Sequence, residues 1–202
     1  MAGNFRLIAI LAPITIHVIV PVLPDIEREF AASSAIIQLS LTLGLIALAA
    51  GTLVHGSASD RWGRKPVLLG GLGLFFAGSM LCVWSPSVEV LIAGRVVQSF
   101  GGAAGLVVSR AIVRDLFPRD QAAKMMGYML SVVVLAPMLA PLIGGYLTEF
   151  FGWHMVFVFA AALAGVALFV GVPLLPETTA GNRARSGGLI AEMRHAYPIL
   201  LR

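Results

Sequence analysis

The densest chemistry in the chain lies in Gly56-Ser57-Ala58-Ser59-Asp60-Arg61-Trp62-Gly63-Arg64-Lys65-Pro66, which sets Asp60, Arg61, Arg64 and Lys65 within six residues. No Asp, Glu, Lys or Arg occurs from Ala31 to Ser59 before it, nor from Pro66 to Val88 after it. Asp60 suits charge-assisted hydrogen bonds from arginine, or a place at the N-terminus of a helix, where negative charge is favoured. Gly56 and Gly63 permit tight turning and close backbone approach. A cluster that served only to place cations would need neither Asp60 nor the glycines.

Arg95 is the second informative residue. It stands alone among charged groups in the apolar stretch Val90–Ser109, with Gln98 at i+3 on the same helical face. Gly101, Gly102 and Gly105 follow, interleaved with Ala103 and Ala104, and small residues of this kind allow close helix approach or leave a cavity. A third candidate is Ala136-Pro137-Met138-Leu139-Ala140-Pro141-Leu142-Ile143-Gly144-Gly145. Prolines at i and i+4 remove two backbone donors and bend a helix, so Pro137, Pro141, Gly144 and Gly145 read as a pivot.

The elements that must position these residues follow from composition. The chain is 58% hydrophobic and 12% charged, with a mean hydropathy of +0.92; a soluble domain carries about 25% charged residues. Charge-free runs cover Leu7–Pro24, Ala31–Ser59, Pro66–Val88, Met125–Thr148 and Phe150–Pro176, and the Arg95 stretch makes a sixth. About 20 apolar residues span a hydrocarbon layer about 30 Å thick. The expectation is an all-α integral membrane protein with helices at about 6–23, 36–58, 67–84, 88–110, 125–147 and 155–175. Residues 1–176 would form the bundle and 177–202 a cytoplasmic tail. The runs are too long and too continuously apolar for the alternating strands of a barrel. The first run lacks a small-x-small cleavage site and carries Pro13 and His17, which argues against a signal peptide. Cys82, the single cysteine, lies within the third run and reads as packing.

Charge asymmetry orients the helices. Arg6, then Arg61, Arg64 and Lys65, then Arg110, Arg114, Arg119 and Lys124, then Arg183, Arg185, Arg194 and Arg202 all fall on one side. Arg28 alone falls on the other, so both termini are expected in the cytoplasm. The net charge of +4 therefore reports membrane topology, and no nucleic-acid partner is implied. The cations of the Asp60 cluster then anchor a cytoplasmic link. Shifting the chain by 89 residues superposes helices 2 and 3 on helices 5 and 6. It also places Gly56, Asp60 and Gly63 on Gly145, Glu149 and Gly152. Three helices per copy make the second copy inverted, an arrangement suited to alternating access.

The motifs themselves resemble the major facilitator superfamily. GSASDRWGRKP is similar to its G-x-x-x-D-R-x-G-R-[RK] signature between helices 2 and 3. Arg95-Val96-Val97-Gln98-Ser99-Phe100-Gly101 resembles the R-x-x-Q-G-x-G element of proton-coupled members, with Ser99 in place of a glycine. Pro141-Leu142-Ile143-Gly144-Gly145 resembles the antiporter motif G-x-x-x-G-P-x-x-G-G, with Ala136 and Ala140 in place of two glycines. Val20-Pro21-Val22-Leu23-Pro24-Asp25-Ile26 is similar to the end of helix 1 in the bicyclomycin-resistance type. The resemblance spans the chain but only the N-terminal, six-helix half of that twelve-helix fold. It implies proton-coupled export of small lipophilic or drug-like molecules through a bacterial inner membrane. No enzyme activity, metal or cofactor is implied, and the proton gradient supplies the energy. It also implies that Gly56, Asp60, Arg61, Gly63, Arg64 and Lys65 latch the two halves in the outward-facing state.

One departure stands out. The subgroup usually carries an aspartate in helix 1 where this sequence has His17. An imidazole titrates near pH 6.5 and either takes over the proton or stays neutral and hydrogen-bonded inside the bundle. Other classes fit less well. Neither lysine sits in a G-x-x-x-x-G-K-[ST] loop, no G-x-S-G accompanies a histidine base, and no filter-like sequence is visible. The remaining alternatives are a truncated half-transporter without independent activity, or a facilitator for another small molecule. A half would lack the opposite wall of its cavity, so a second six-helix half, from the missing C-terminal portion or another copy, is an expected partner.

Overall fold

The computed structural model describes residues 18–171. His17, most of the expected first span and the expected tail lie outside the described residues. Within them every regular element is helical. A 3-10 turn at Val20–Val22 leads into α1 (Leu23–Phe30), followed by α2 (Ser34–Trp62), α3 (Arg64–Val83), α4 (Val88–Leu116), α5 (Arg119–Phe151) and α6 (His154–Val166). A π-helical turn at Ala167–Gly171 continues α6. The helices α2, α3, α4 and α5 are each long and apolar enough to cross a membrane. His154–Phe169 is a shorter apolar helix.

Local sequence explains where the helices stop. In α1, Pro24 lies in the first turn, where no backbone donor is needed, and Asp25 and Arg28 lie at the ends that the helix dipole favours. The helix closes on Ala31, which takes a left-handed conformation with φ 46° and donates its N–H to Glu27. A single residue, Gly63, separates α2 from α3, with φ 104° and ψ 151°. Gly152 ends α5 in the same way, with φ 83° and ψ 163°. These two are the glycines with positive φ among the described residues, and they stand 89 residues apart.

Small residues set the packing. α4 is the centre of the bundle, with α3 and α2 against it along most of their length. On the α3 side, a methyl on Gly78 would lie 2.8 Å from Gly94 O, and one on Gly94 would lie 2.8 Å from Cys82 Sγ. On the α2 side, a methyl on Gly51 would lie 2.7 Å from both Phe100 O and Ala103 Cβ. Neither backbone could come so close with larger side chains, and in lipid such packing replaces the hydrophobic drive between helices. Two apolar clusters result. One gathers Leu68, Leu72, Phe75, Val108, Ile112 and Met129 towards the Gly63 end. The other gathers Val18, Ile19, Ile26, Leu91, Trp153 and Phe157 towards the opposite end.

The outer surface is apolar as well. Trp62 (65% exposed) and Trp84 (75% exposed) flank α3, whose 20 residues rise about 30 Å, the thickness of a hydrocarbon layer. Interfacial tryptophans occupy such positions. The least covered of the four long helices is α5, which exposes Val134, Met138, Leu142, Tyr146 and Phe150.

Candidate functional site

At the Gly63 end, the turn brings the first residue of α3 back under α2. Arg64 is buried there, and its guanidinium joins three helices. Nη1 lies 2.5 Å from Asp60 Oδ1 and donates to Ser59 Oγ at 2.7 Å, while Nε donates to Asp115 Oδ2 at 3.0 Å. Asp115 belongs to the last turn of α4, so the cluster ties α2, α3 and α4 together. The Asp60 side chain is 64% exposed and Arg61 faces outward, while Lys65 is half-buried in the first turn of α3. Gly56 lies against α4, where an added methyl would meet Val107 Cγ1 at an ordinary 3.6 Å. Gly63 is the glycine that the backbone demands, because its φ suits no L side chain.

Two turns into α4, Arg95 is 1% exposed and is the largest fully buried side chain. Its Nη1 donates to Gln98 Oε1 at 2.6 Å. Gln98 Nε2 donates to Ser79 Oγ on α3 at 2.8 Å, and Ser79 donates to Phe75 O at 2.8 Å. Each hydroxyl or amide in this relay is thereby satisfied. Arg95 Nε is not; it is the buried side-chain nitrogen without a hydrogen-bond partner among the described residues. The relay lies where the two apolar clusters meet, Phe75 belonging to one and Cys82 to the other. A cation in such a place costs about 2.5–3.5 kcal/mol on insertion scales and is retained where function needs it.

The prolines of α5 do not interrupt it, since the helix runs unbroken from Arg119 to Phe151. Pro137 and Pro141 are exposed, whereas Ala136, Ala140 and Gly144 form the buried face. Gly144 meets the segment before α1 so closely that an added methyl would lie 3.0 Å from Pro21 Cγ and closer still to Val18 O. Gly145 faces open space, with nothing within 4 Å of an added methyl. Thr148 donates to Gly144 O at 2.7 Å, a bond to the preceding turn.

Besides Ser79, three features were not singled out in the sequence. Asp115 is one; its only signal was its place in the charged last turn of α4, 51 residues from Arg64. His55 is another. It is buried on α2, with Nδ1 2.8 Å from Gly51 O and its ring 4.8 Å from that of Phe100. Its signal was a polar ring inside the charge-free run Ala31–Ser59. The third is a cluster at the far end, where Trp153 Nε1 donates to Glu29 and packs edge-on against Phe30. His154 stacks on Trp153, and its Nε2 lies 4.0 Å from Glu29 Oε1. A shallow cavity of about 400 Å³ opens there beside Asp25, Arg28 and Thr148.

Residues 7–199 match the family model described as Major Facilitator Superfamily. The chain belongs to the major facilitator superfamily. It is 40% identical over 159 residues to an uncharacterized MFS-type transporter, YdgK, of Bacillus subtilis, covering 78% of this chain and 40% of that protein. It is 34% identical over 172 residues to a bicyclomycin resistance protein homolog of Haemophilus influenzae, covering 85% and 43%. Multidrug resistance protein D of Escherichia coli is 31% identical over 159 residues, covering 79% and 40%. The chain thus spans less than half the length of these relatives. Among solved structures, the proton:xylose symporter XylE superposes with a TM-score of 0.79 at 16% identity, covering 95% of this chain and 48% of that one. The human organic anion transporter MFSD10 superposes at 0.67 and 22% identity, covering 93% and 50%. At these identities the likeness is one of fold. This facilitator chain is a membrane protein, and its relatives are transporters, not enzymes.

Proposed function

We propose that this chain forms one six-helix half of a proton-coupled exporter of small lipophilic or drug-like molecules, working by alternating access in a bacterial inner membrane. The observation that carries the reading is Arg95, a fully buried cation held by Gln98, which Ser79 holds in turn, inside helices of membrane-spanning length. The names of the bicyclomycin and multidrug resistance relatives support the substrate class. The matching turns at Gly63 and Gly152 support two inverted three-helix repeats. With six helices, the charge asymmetry puts both termini in the cytoplasm.

In this reading, Arg95 and Gln98 couple substrate or proton binding to the bundle, and His17 is the titratable group in helix 1. Gly56, Asp60, Arg61, Gly63, Arg64 and Lys65 form the conformational latch. Its inner part is the Asp60–Arg64–Asp115 cluster, which opens or holds the cytoplasmic ends of α2, α3 and α4. Pro137, Pro141, Gly144 and Gly145 form the pivot, with Gly144 as the point of contact with the first helix. The chain spans 40–43% of these relatives' length, which supports a second six-helix half as partner.

The test is efflux from proteoliposomes holding this chain with a second half, with and without an imposed pH gradient. Gradient-driven efflux of a lipophilic drug is expected, and His17→Ala should lower the driven component while leaving exchange. Efflux that ignores the gradient in the wild type would remove proton coupling from the reading.

A further inference from the structure

We propose that the Nε/Nη2 edge of Arg95 is a receptor for a carboxylate, so that this transporter handles amphipathic organic anions. The proposal rests on the transport reading above and deepens it by naming the charge of the substrate. Three observations converge on it. First, Gln98 occupies Nη1, leaving the opposite edge of the guanidinium, where Nε has no acceptor among the described residues. Nε–H and Nη2 lie side by side on that edge, the planar fork that binds a carboxylate through two parallel hydrogen bonds.

Second, none of the eight Asp and Glu among the described residues lies in the middle of a long helix. Glu89, the nearest in sequence on α4, is six residues away and exposed. Among the described residues the buried guanidinium has no carboxylate partner, and an arriving anion would neutralise it. Third, the space beside that edge is kept small-sided by Gly44 of α2 and Ser99 of α4. An added methyl on Gly44 would stand 3.0 Å from Ser99 Oγ and 4.0 Å from Arg95 Nη2. Arg95 is closed off in the conformation described, so the anion reaches it when the seam between α2 and α4 parts. The Gln98–Ser79 relay holds the guanidinium in place meanwhile.

The experiment uses the full chain in nanodiscs and three probes with one apolar body: 2-naphthoate, 2-naphthylmethanol and 2-naphthylmethylammonium. Equilibrium dialysis with labelled probes reads their affinities. Naphthoate is expected to bind at least roughly 10-fold more tightly than the other two, the worth of a charged hydrogen-bonded contact. Arg95→Gln should remove that preference and Arg95→Lys should keep part of it. The comparison among head groups needs only the wild type, so it remains decisive if an Arg95 variant does not fold. Equal or tighter binding of the alcohol or the ammonium overturns the proposal, as does failure of all three to bind. A carboxylate of the second half seated on Arg95 would show as such indifference once that half is present. Efflux under a pH gradient, measured for both naphthoate and a lipophilic cation, separates the two readings. Cation efflux without naphthoate binding removes the anion receptor alone, and naphthoate binding without driven efflux removes the exporter alone.

Discussion

Arg61 and Arg64 stand three residues apart in one charged stretch, yet Arg64 alone turns inward, because Gly63 reverses the chain between them. Arg64 should therefore carry the structural energy. Arg64→Ala is expected to lower stability by about 1–3 kcal/mol in a denaturant titration of the detergent-solubilised chain, and Arg61→Ala by less than about 0.5 kcal/mol. The larger figure stays below that for breaking a fully buried pair, because Asp60 and Asp115 keep contact with water. Equal losses from the two alanines would contradict the buried role of Arg64. Asp115→Asn should cost less than Arg64→Ala, since Arg64 retains Asp60 and Ser59. The residue-level site was legible in part. Asp60 and Arg64 declared themselves as part of a charged knot between two charge-free runs, and Arg95 and Gln98 by being polar inside an apolar stretch. Asp115 and Ser79 did not, because the residues they serve are 51 and 19 positions away and only the packing of α3 and α4 brings them together.

At the scale of elements, the glycines divide into those that touch a neighbouring helix and those that do not. A methyl added to Gly78, Gly94 or Gly101 would meet backbone or side-chain atoms of the opposing helix well inside van der Waals contact, whereas Gly70 and Gly73 on α3 face open space. Gly101→Ala should prise α3 from α4 and destabilise the bundle by more than about 2 kcal/mol, in the range for overpacking. Gly73→Ala should be neutral or stabilise by up to about 1 kcal/mol through helix propensity. Thermal unfolding of the two variants side by side checks this, and the same sign for both would refute the packing. A similar contrast holds on α5, where Gly144→Ala collides with Val18 and Pro21 and Gly145→Ala meets nothing. The sequence showed that glycines were frequent but not which face they lined. The 89-residue shift did mark Gly63 and Gly152, and those are the glycines that adopt positive φ. A backbone conformation available mainly to glycine leaves a sequence trace, whereas a close contact between two helices does not.

For the whole molecule, the all-helical fold followed from the length and continuity of the apolar runs, since few other structures satisfy the backbone inside lipid. The family signature then supplied the arrangement, and the structural likeness to known facilitators agrees with it. Orientation rests on charge counting, the expected six spans on the apolar runs and the 89-residue repeat, and the expected second half on the family resemblance. The broad exposed face of α5 is where such a half or lipid would lie. The central claim is that a buried arginine couples this half-barrel of helices to export. Its most direct test is efflux driven by a pH gradient in proteoliposomes containing this chain and its second half, comparing wild type with Arg95→Ala at matched protein incorporation. Driven efflux should fall by at least roughly 10-fold in Arg95→Ala, as for loss of a charged contact in a buried site, while the variant still inserts and unfolds cooperatively. Equal driven efflux from the two proteins would contradict the claim.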